Sequence, residues 1–254
     1  MPPAPVPVHR QSRFAHVPRR RSRHTSPMKV ILFGGTGMVG QAVLAQCLVD
    51  ARVEEVLAVG RSPIPVTHAK LRQVLHPDMS DLSPIADEIR SYDTVFDALG
   101  VSSFRMSEDE YTRLTYDLTL GLAQSVRDAC GPETTFIYVS GASTDSTESG
   151  RVMWARVKGR TENALLAMFP NASMFRPGAI APLPGVKSKT RWVAVTYALT
   201  GPLFRGLAKV APGIATDSVT IGRAMINVAD GDVLPAAATS RIFENRDIVA
   251  AGGA

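Results

Sequence analysis

Two residue patterns in this chain could form a ligand-binding or catalytic site. One is a set of glycines, Gly34, Gly37 and Gly40, at three-residue intervals in "FGGTGMVG". The other is Lys158, which follows Trp154 by four residues in "MWARVKGR". Residues four apart share one face of a helix, and a phenol at the first position would make a proton-transfer pair with the lysine. An indole N–H donates a hydrogen bond but transfers no proton near neutral pH, so proton chemistry at this pair is either altered or lost.

The glycine pattern stands between the apolar run "KVILFGG" and an amphipathic segment, the order of a buried strand and a helix. Gly34 lets the chain turn tightly, Gly37 lets the backbone approach a pyrophosphate, and Gly40 lets the helix pack closely on the strand. The free N–H groups at the helix N-terminus favour an anion. The pattern predicts a dinucleotide site, with a tight turn without ligand as the alternative; its residues would be Gly34, Thr36, Gly37, Met38, Val39 and Gly40.

The end of the second predicted strand indicates which dinucleotide is bound. An NAD site places an acidic residue there, about 20 residues past the turn, to bond the ribose hydroxyls. This chain has Gly60 and Arg61 in "AVGRS" instead. A guanidinium pairs with a 2′-phosphate through charge-assisted bonds. The pattern favours NADP(H) over NAD(H), with a solvated loop arginine as the alternative.

Strand-like and helix-like segments alternate along the chain, which predicts an α/β fold of the Rossmann type, a doubly wound parallel sheet. We expect one domain over residues 28–254, with a small C-terminal cap from about residue 179 that shapes a pocket. The predicted strands are "KVILFGG", "EEVLAVG", "KLRQVLH", "DTVFDALG", "TTFIYVS" and "ASMFRPG".

The chain has 254 residues, of which 45% are hydrophobic and 20% charged, and it carries a net charge of +5. Six arginines and no acid lie in residues 1–27, so residues 28–254 hold 22 basic and 23 acidic residues. A domain this close to neutral is not expected to bind nucleic acid.

The first 27 residues are rich in Pro, Arg, His and Ser, which predicts a disordered basic tail. An Arg-rich, acid-poor transit peptide is the alternative, against which the prolines count because they interrupt an amphipathic helix. Met28 is an alternative start codon.

The two cysteines, Cys47 and Cys130, have no Cys or His nearby at ligand spacing. We therefore expect neither a disulfide nor a metal site, and we expect the protein to lie in the reducing cytoplasm.

Residues 187–209 contain an apolar stretch with basic residues on both sides. The stretch, 192–204, is too short for a bilayer, which takes about 20 apolar residues. We expect no transmembrane span. The segment is either a lid over the substrate pocket or a peripheral contact with an anionic membrane surface.

Several motifs between residues 28 and 230 form one set: Gly34–Gly40, Arg61, Asp78, "DALG" (97–100), "YVSGAS" (138–143), Lys158 and "FRPG" (175–178). This set resembles the short-chain dehydrogenase/reductases, in their extended and atypical NAD(P)-binding, epimerase-like branches. It is similar to the Tat-interacting oxidoreductase-like group. The resemblance implies that Asp78 contacts the adenine and that Lys158 holds the nicotinamide ribose. It also places Leu99, Gly100, Pro177 and Gly178 beside the cofactor.

The chain departs from that family at both positions of the usual acid chemistry. Trp154 stands where the family has its catalytic Tyr, and Gly141 aligns with the catalytic Ser. Ser140 and Ser143 flank that glycine and are the candidate catalytic hydroxyls beside Lys158, while Trp154 is expected in the wall of the substrate pocket.

Two hypotheses follow from these departures. The chain is either an NADP(H)-dependent oxidoreductase or epimerase-like enzyme acting on a small molecule, or a non-catalytic NADP(H)-binding sensor or scaffold with a protein partner. Lys158 favours the enzyme, whereas Trp154 and Gly141 favour the sensor.

Overall fold

The computed structural model describes residues 27–181, 215–231 and 241–253. The predicted tail of residues 1–27 and the segment 187–209 lie outside the described residues, except for Pro27. The Rossmann-type fold is confirmed, because a seven-stranded parallel sheet is flanked by helices on both faces. Its strands are β1 Met28–Phe33, β2 Val53–Gly60, β3 Leu71–Leu75, β4 Thr94–Asp97, β5 Thr135–Val139, β6 Ala172–Arg176 and β9 Ile242–Glu244.

The sheet has the strand order β3-β2-β1-β4-β5-β6-β9, and each neighbouring pair is parallel. Strand order reverses between β1 and β4, so the carboxyl ends of these two strands form the crevice in which open α/β sheets bind ligands. The strands at the centre of the sheet are mostly apolar and are buried on both faces, as the run "VILF" in β1 predicts.

Helices cover the two faces of the sheet over separate hydrophobic cores. The helices are α1 Met38–Val49, α2 Ala86–Ile89, α3 Glu108–Thr112, α4 Leu118–Cys130, α5 Met153–Met168, α6 Ser218–Ala229 and α7 Asn245–Gly252. One core lies under α1, α6 and α7 and includes Val43, Ile221 and Ile248. The other lies under α4 and α5 and includes Leu122 and Leu165.

A long helical segment lies between residues 107 and 131, with one irregularity. It begins at Ser107, whose Oγ accepts a hydrogen bond from the Glu110 N–H at 3.2 Å. It ends at Gly131, whose φ of 98° suits glycine. Between α3 and α4, residues Arg113–Asp117 form a π-helical turn. Such turns insert one residue and are frequent at functional sites.

The described part of the C-terminal region contributes to the sheet and to one face of the domain. Strand β9 pairs with β6 and α7 follows it directly. A separate two-stranded parallel ladder joins β7, Ala179–Ala181, to β8, Ala215–Asp217. Asp217 caps the following helix α6 by accepting from the Thr220 N–H at 2.8 Å.

Candidate functional site

The glycine turn between β1 and α1 has the geometry that its spacing predicts. Gly34 has a φ of +78°, and a Cβ there would lie 2.6 Å from the backbone oxygen of Ala98, at the end of β4. A Cβ at Gly40 would collide with the Gly34 carbonyl, so only glycine lets α1 approach the turn this closely. The Gly37 N–H closes the turn by donating to the Gly34 carbonyl at 2.8 Å.

The turn leaves backbone N–H groups free at the start of α1. Gly37 is the N-cap and has no side chain to occupy these donors, and no acidic residue lies in the first helical turn. A ligand anion therefore meets both the donors and the positive end of the helix dipole. Thr36, Met38 and Val39 surround the turn and are partly buried. The turn fits a pyrophosphate.

A cleft lies beside the turn and reaches the ends of β2 and β3. It is lined by the glycine turn, by the end of β2 and by Leu99 after β4. Arg61 is exposed at the mouth of this cleft, and within the described residues it forms no ion pair or hydrogen bond. The guanidinium is therefore available to a ligand in the cleft. Gly100, next to Leu99, is exposed.

Asp78 lies after β3 and directly precedes Met79, which lines the same cleft. Its Oδ1 accepts from the Ser80 N–H at 3.0 Å and from the Ser80 hydroxyl at 2.6 Å. These hydrogen bonds from Ser80 hold the pKa of Asp78 below its usual range, so the side chain is an anion near neutral pH. One carboxylate oxygen is thus used to form the local turn.

Asp97, the last residue of β4, is a buried acid that the sequence analysis did not select. Its side chain is fully buried and its Oδ1 accepts from the Leu99 N–H at 2.9 Å, while Oδ2 has no hydrogen-bond partner among the described residues. Burial raises the pKa of Asp97 to about 7, against the opposing effects of the Leu99 N–H and of Lys158. The sequence signal that could have identified Asp97 is the presence of an acidic residue within the otherwise apolar end of the predicted strand "DTVFDALG".

Lys158 extends from α5 toward the end of β5. Its Nζ donates a hydrogen bond to the backbone carbonyl of Ser140. Burial lowers the pKa of Lys158 to about 8, although the negative charges of Glu162 and Asp97 act in the opposite direction. The Lys158 side chain is half-buried, and its ammonium group lies at the carboxyl end of β5, close enough to Asp97 and Glu162 for their charges to act on it.

Ser140 is held by a second buried cluster. Its Oγ lies 2.5 Å from Glu162 Oε1 and 3.0 Å from the Phe175 carbonyl. Glu162 is fully buried and pairs with Arg176, whose Nη2 lies 2.5 Å from Glu162 Oε2. The same guanidinium also contacts Ser146 at 2.5 Å and Glu244 at 3.1 Å. The Ser140 hydroxyl thus forms a tether between β5, α5 and β6.

The loop after β5 carries the other candidate hydroxyl. Ser143 is exposed and has a φ of 67°, a left-handed conformation that is unusual for a residue with a side chain. Within the described part of the chain, neither its Oγ nor the indole N–H of Trp154 forms a hydrogen bond. Trp154 is half-buried on the first turn of α5, one turn before Lys158.

The "FRPG" motif lies beside this loop. Ser140 and Ala142 donate their backbone N–H groups to Phe175 and Pro177 respectively, each at 2.8 Å. Gly178 is fixed by Asn245 Oδ1, which accepts from its N–H at 2.7 Å. Four predicted site residues therefore lie at the carboxyl ends of β5 and β6: Lys158, Ser140, Pro177 and Gly178. This is the same edge of the sheet as the one that carries the glycine turn.

Two further features bear on the range of functions. The described residues contain no group of three or more His, Cys, Asp or Glu side chains that could hold a metal ion. Cys47 is buried and Cys130 half-buried, and both are free thiols. In the same part of the chain, no helix has the length and apolarity needed to cross a membrane.

Comparison with known proteins agrees with this geometry. Residues 30–149 match the model of the NAD dependent epimerase/dehydratase family. The protein fmp52, mitochondrial, of Emericella nidulans is 28% identical over 207 residues, which cover 78% of this chain and 85% of that protein. Protein fmp52-2, mitochondrial, of Aspergillus terreus is 27% identical over 201 residues, with the same coverage.

Solved structures share the fold at low identity. UDP-N-acetylglucosamine 4-epimerase from Bacillus cereus superposes with a TM-score of 0.60 at 14% identity, covering 85% of this chain and 75% of the epimerase. MoeE5 in complex with UDP-glucose and NAD gives a TM-score of 0.57 at 20% identity, covering 80% and 72%. At these identities the similarity concerns the fold alone.

The comparisons overturn the predicted cytoplasmic location. Five matching relatives, all of them fungal Fmp52-type proteins, are named mitochondrial. The prediction gave weight to the cysteine content and to the prolines in residues 1–27. Neither is decisive, because free thiols suit any reducing compartment, and residues 1–27 have the arginine-rich, acid-free composition of a transit peptide despite their prolines.

Proposed function

We propose that this chain is an NAD(P)-binding protein of the atypical short-chain dehydrogenase/reductase type, and that it binds NADP(H) in preference to NAD(H). We propose further that it is an oxidoreductase or epimerase-like enzyme acting on a small molecule. The observation that carries the proposal is Arg61, an exposed guanidinium without an ion pair among the described residues, in the cleft beside the glycine turn. A bound nicotinamide would supply or accept the hydride.

The residues of the chain have distinct roles in this proposal. The turn from Gly34 to Gly40 binds the pyrophosphate, and Arg61 pairs with the 2′-phosphate. Lys158 holds the nicotinamide ribose. To do so, its ammonium group gives up the hydrogen bond to the Ser140 carbonyl and donates to the ribose hydroxyls instead. Pro177 and Gly178 form the wall at the reacting end. The hydrogen bond between Ser140 and Glu162 fixes the position of α5 relative to this wall.

Proton transfer in the proposed enzyme differs from that of relatives with a tyrosine. The indole N–H of Trp154 can donate a hydrogen bond, but it cannot act as a general acid near neutral pH. Loss of a positioned acid typically reduces a rate by about 10²–10⁴. We therefore expect slow reduction of ordinary carbonyl substrates, with the exposed hydroxyl of Ser143 as the candidate group that orients the carbonyl.

A second function is favoured by the two positions at which the chain departs from the usual catalytic residues, Gly141 and Trp154. The Ser140 hydroxyl points to Glu162 and Trp154 replaces the acid, so the protein would bind NADP(H) without turnover and report its redox state to a protein partner. Steady oxidation of NADPH in the presence of any carbonyl compound would exclude this function. A partner whose affinity differs between the NADP⁺-bound and NADPH-bound forms would support it.

The test of cofactor preference is a calorimetric titration of the full chain with NADPH and with NADH. The proposal expects tighter binding of NADPH, and it expects Arg61→Ala to remove most of that preference while NADH affinity changes little. Equal affinity for the two nucleotides in the wild-type chain would contradict the preference. Absence of binding by either would contradict the cofactor site itself.

We also propose a mitochondrial location, supported by the names of the relatives and by the arginine-rich, acid-free composition of residues 1–27. The test compares a fluorescent fusion of the full chain with one that lacks residues 1–27. The proposal expects mitochondrial fluorescence for the first and diffuse fluorescence for the second. Diffuse fluorescence for both would contradict it.

A further inference from the structure

A second groove adjoins the cofactor cleft and presents two guanidinium groups. It lies between the ends of β2 and β3 and the π-helical turn, and it is lined by Arg61, Arg113, Asp78 and Asp117 with the apolar side chains of Met79 and Leu118. Arg61 and Met79 also line the cleft beside the glycine turn. The two cavities therefore meet at these residues and form one continuous surface for an extended ligand.

The π-helical turn determines which residues face this groove. It covers Arg113–Asp117, and both of its end residues line the groove. Tyr116, inside the turn, faces α5 instead, where the Arg160 guanidinium lies 3.9 Å from the centre of its ring. The turn therefore gives the helix two separate contacts, one with α5 and one with the groove.

Neither guanidinium is neutralised by the described residues. Arg61 and Arg113 form no ion pair or hydrogen bond there, whereas Arg72, Arg156 and Arg176 each pair with a glutamate. Two unpaired guanidinium groups at one cavity suit an anion that accepts several charge-assisted hydrogen bonds, and a phosphate is such an anion.

The acidic residues of the groove restrict which phosphate compound fits. Asp78 and Asp117 bring two negative charges, so the groove is not a general anion site. A ligand must offer hydrogen-bond donors as well as a phosphate. The adenosine 2′-phosphate half of NADP(H) has both, in its amino group and its phosphate, and its base has apolar faces that suit Met79 and Leu118.

We propose that Arg113 is a specificity-determining residue that holds the 2′-phosphate of NADP(H) together with Arg61, while Asp117 faces the adenine. This inference rests on the proposed NADP(H) preference and extends it to a residue of the π-helical turn. Arg61 supplies one guanidinium from the end of β2, and Arg113 supplies the second from the opposite wall of the groove.

The experiment is calorimetry on the full chain with NADPH, NADH and the fragments 2′,5′-ADP and 5′-ADP. Arg113→Ala is compared with Arg61→Ala, with the double variant and with Arg127→Ala. Arg127 is a matched control, because it is exposed on the same long helix, has no ion pair among the described residues and lies outside the groove.

We expect Arg113→Ala to weaken NADPH and 2′,5′-ADP about 10- to 100-fold, the effect of one charge-assisted hydrogen-bonding group. NADH and 5′-ADP should change less than about threefold, which also shows that the variant is folded. Arg127→Ala should leave all four affinities unchanged.

The outcomes separate this inference from the proposed function. If Arg61→Ala weakens NADPH and Arg113→Ala does not, the role of Arg113 is overturned and the NADP(H) preference stands. Equal weakening of NADPH and NADH by Arg113→Ala, or the same loss with Arg127→Ala, would also overturn it. A wild-type chain that binds no NADPH would overturn both.

Discussion

The hydroxyl of Ser140 lies 2.5 Å from Oε1 of Glu162, the residue one helical turn beyond Lys158 on α5. Glu162 is fully buried, and Arg176 of β6 neutralises it. The three side chains connect the ends of β5 and β6 to the helix that carries both Lys158 and Trp154. The position of Lys158 therefore depends on a buried ion pair one helical turn further along the same helix.

The first prediction concerns this ion pair. We expect Glu162→Ala to lower the free energy of unfolding by about 3 kcal/mol. Arg176 would lose its buried partner and keep only the more exposed Glu244, and the Ser140 hydroxyl would lose its acceptor. The measurement is urea-induced unfolding at pH 7.

Glu88→Ala is the control, because Glu88 pairs with Arg72 at 2.6 Å where both side chains are about half exposed. It should cost less than about 1 kcal/mol. Similar losses for the two variants would mean that the buried cluster contributes no more than a surface pair.

The second prediction concerns the glycine turn. We expect Gly34→Ala to lower stability by about 1–3 kcal/mol, because alanine is strained at a φ of +78° and its Cβ would lie 2.6 Å from the Ala98 oxygen. Nucleotide binding should weaken with it. Thermal unfolding and NADPH titration measure the two effects.

Gly141→Ala provides the contrast, because a Cβ at Gly141 would meet no atom within 4 Å. We expect its stability to stay within about 0.5 kcal/mol of the wild type. If Gly34→Ala were equally neutral, the close approach of the turn to β4 would not constrain this position.

The fold and the cofactor turn could be predicted because their signals are local. The apolar run before Gly34 and the spacing to Gly40 determine a buried strand, a left-handed turn and a closely packed helix without reference to distant residues. The capping of the long helix by Ser107 is local in the same sense, because its hydroxyl accepts from the N–H only three residues further along.

The electrostatics of the site could not be predicted because they depend on contacts across the fold. Ser140 and Glu162 are 22 residues apart, and Arg176 is 14 residues further along. Asp97 looks like the polar end of a strand, and only the packing of α5 shows that it shares a buried site with Lys158. The π-helical turn at Arg113 has no sequence signal that we recognise.

The third prediction concerns the pH dependence of stability. The pKa of Asp97 is raised from 3.8 in the unfolded chain to about 7, so the folded state binds the proton more tightly. Its contribution to stability is complete below about pH 4 and is lost as the pH rises through 7. The total is at most on the order of 4 kcal/mol.

Asp97→Asn should remove this dependence, because asparagine keeps the shape and carries no charge. We expect the variant to gain stability relative to the wild type between pH 4 and pH 8. Lys158 and Glu162 are present in both proteins, and the difference between the two pH curves therefore reports Asp97 together with its effect on the pKa of Lys158. Parallel curves from urea titrations at each pH would contradict a buried, proton-binding Asp97.

The last prediction concerns the residue that departs most from the related enzymes. Trp154 lies one helical turn before Lys158, so a tyrosine there would have its phenol beside the ammonium and could donate a proton. We expect Trp154→Tyr to raise kcat/KM for the reduction of benzaldehyde and 2,3-butanedione by NADPH about 10²- to 10⁴-fold. Trp154→Phe is the control, because it removes the indole without supplying an acid and should give no gain. Equal rates for the two variants would mean that position 154 does not face the reacting carbonyl, and would favour the non-catalytic, cofactor-sensing function.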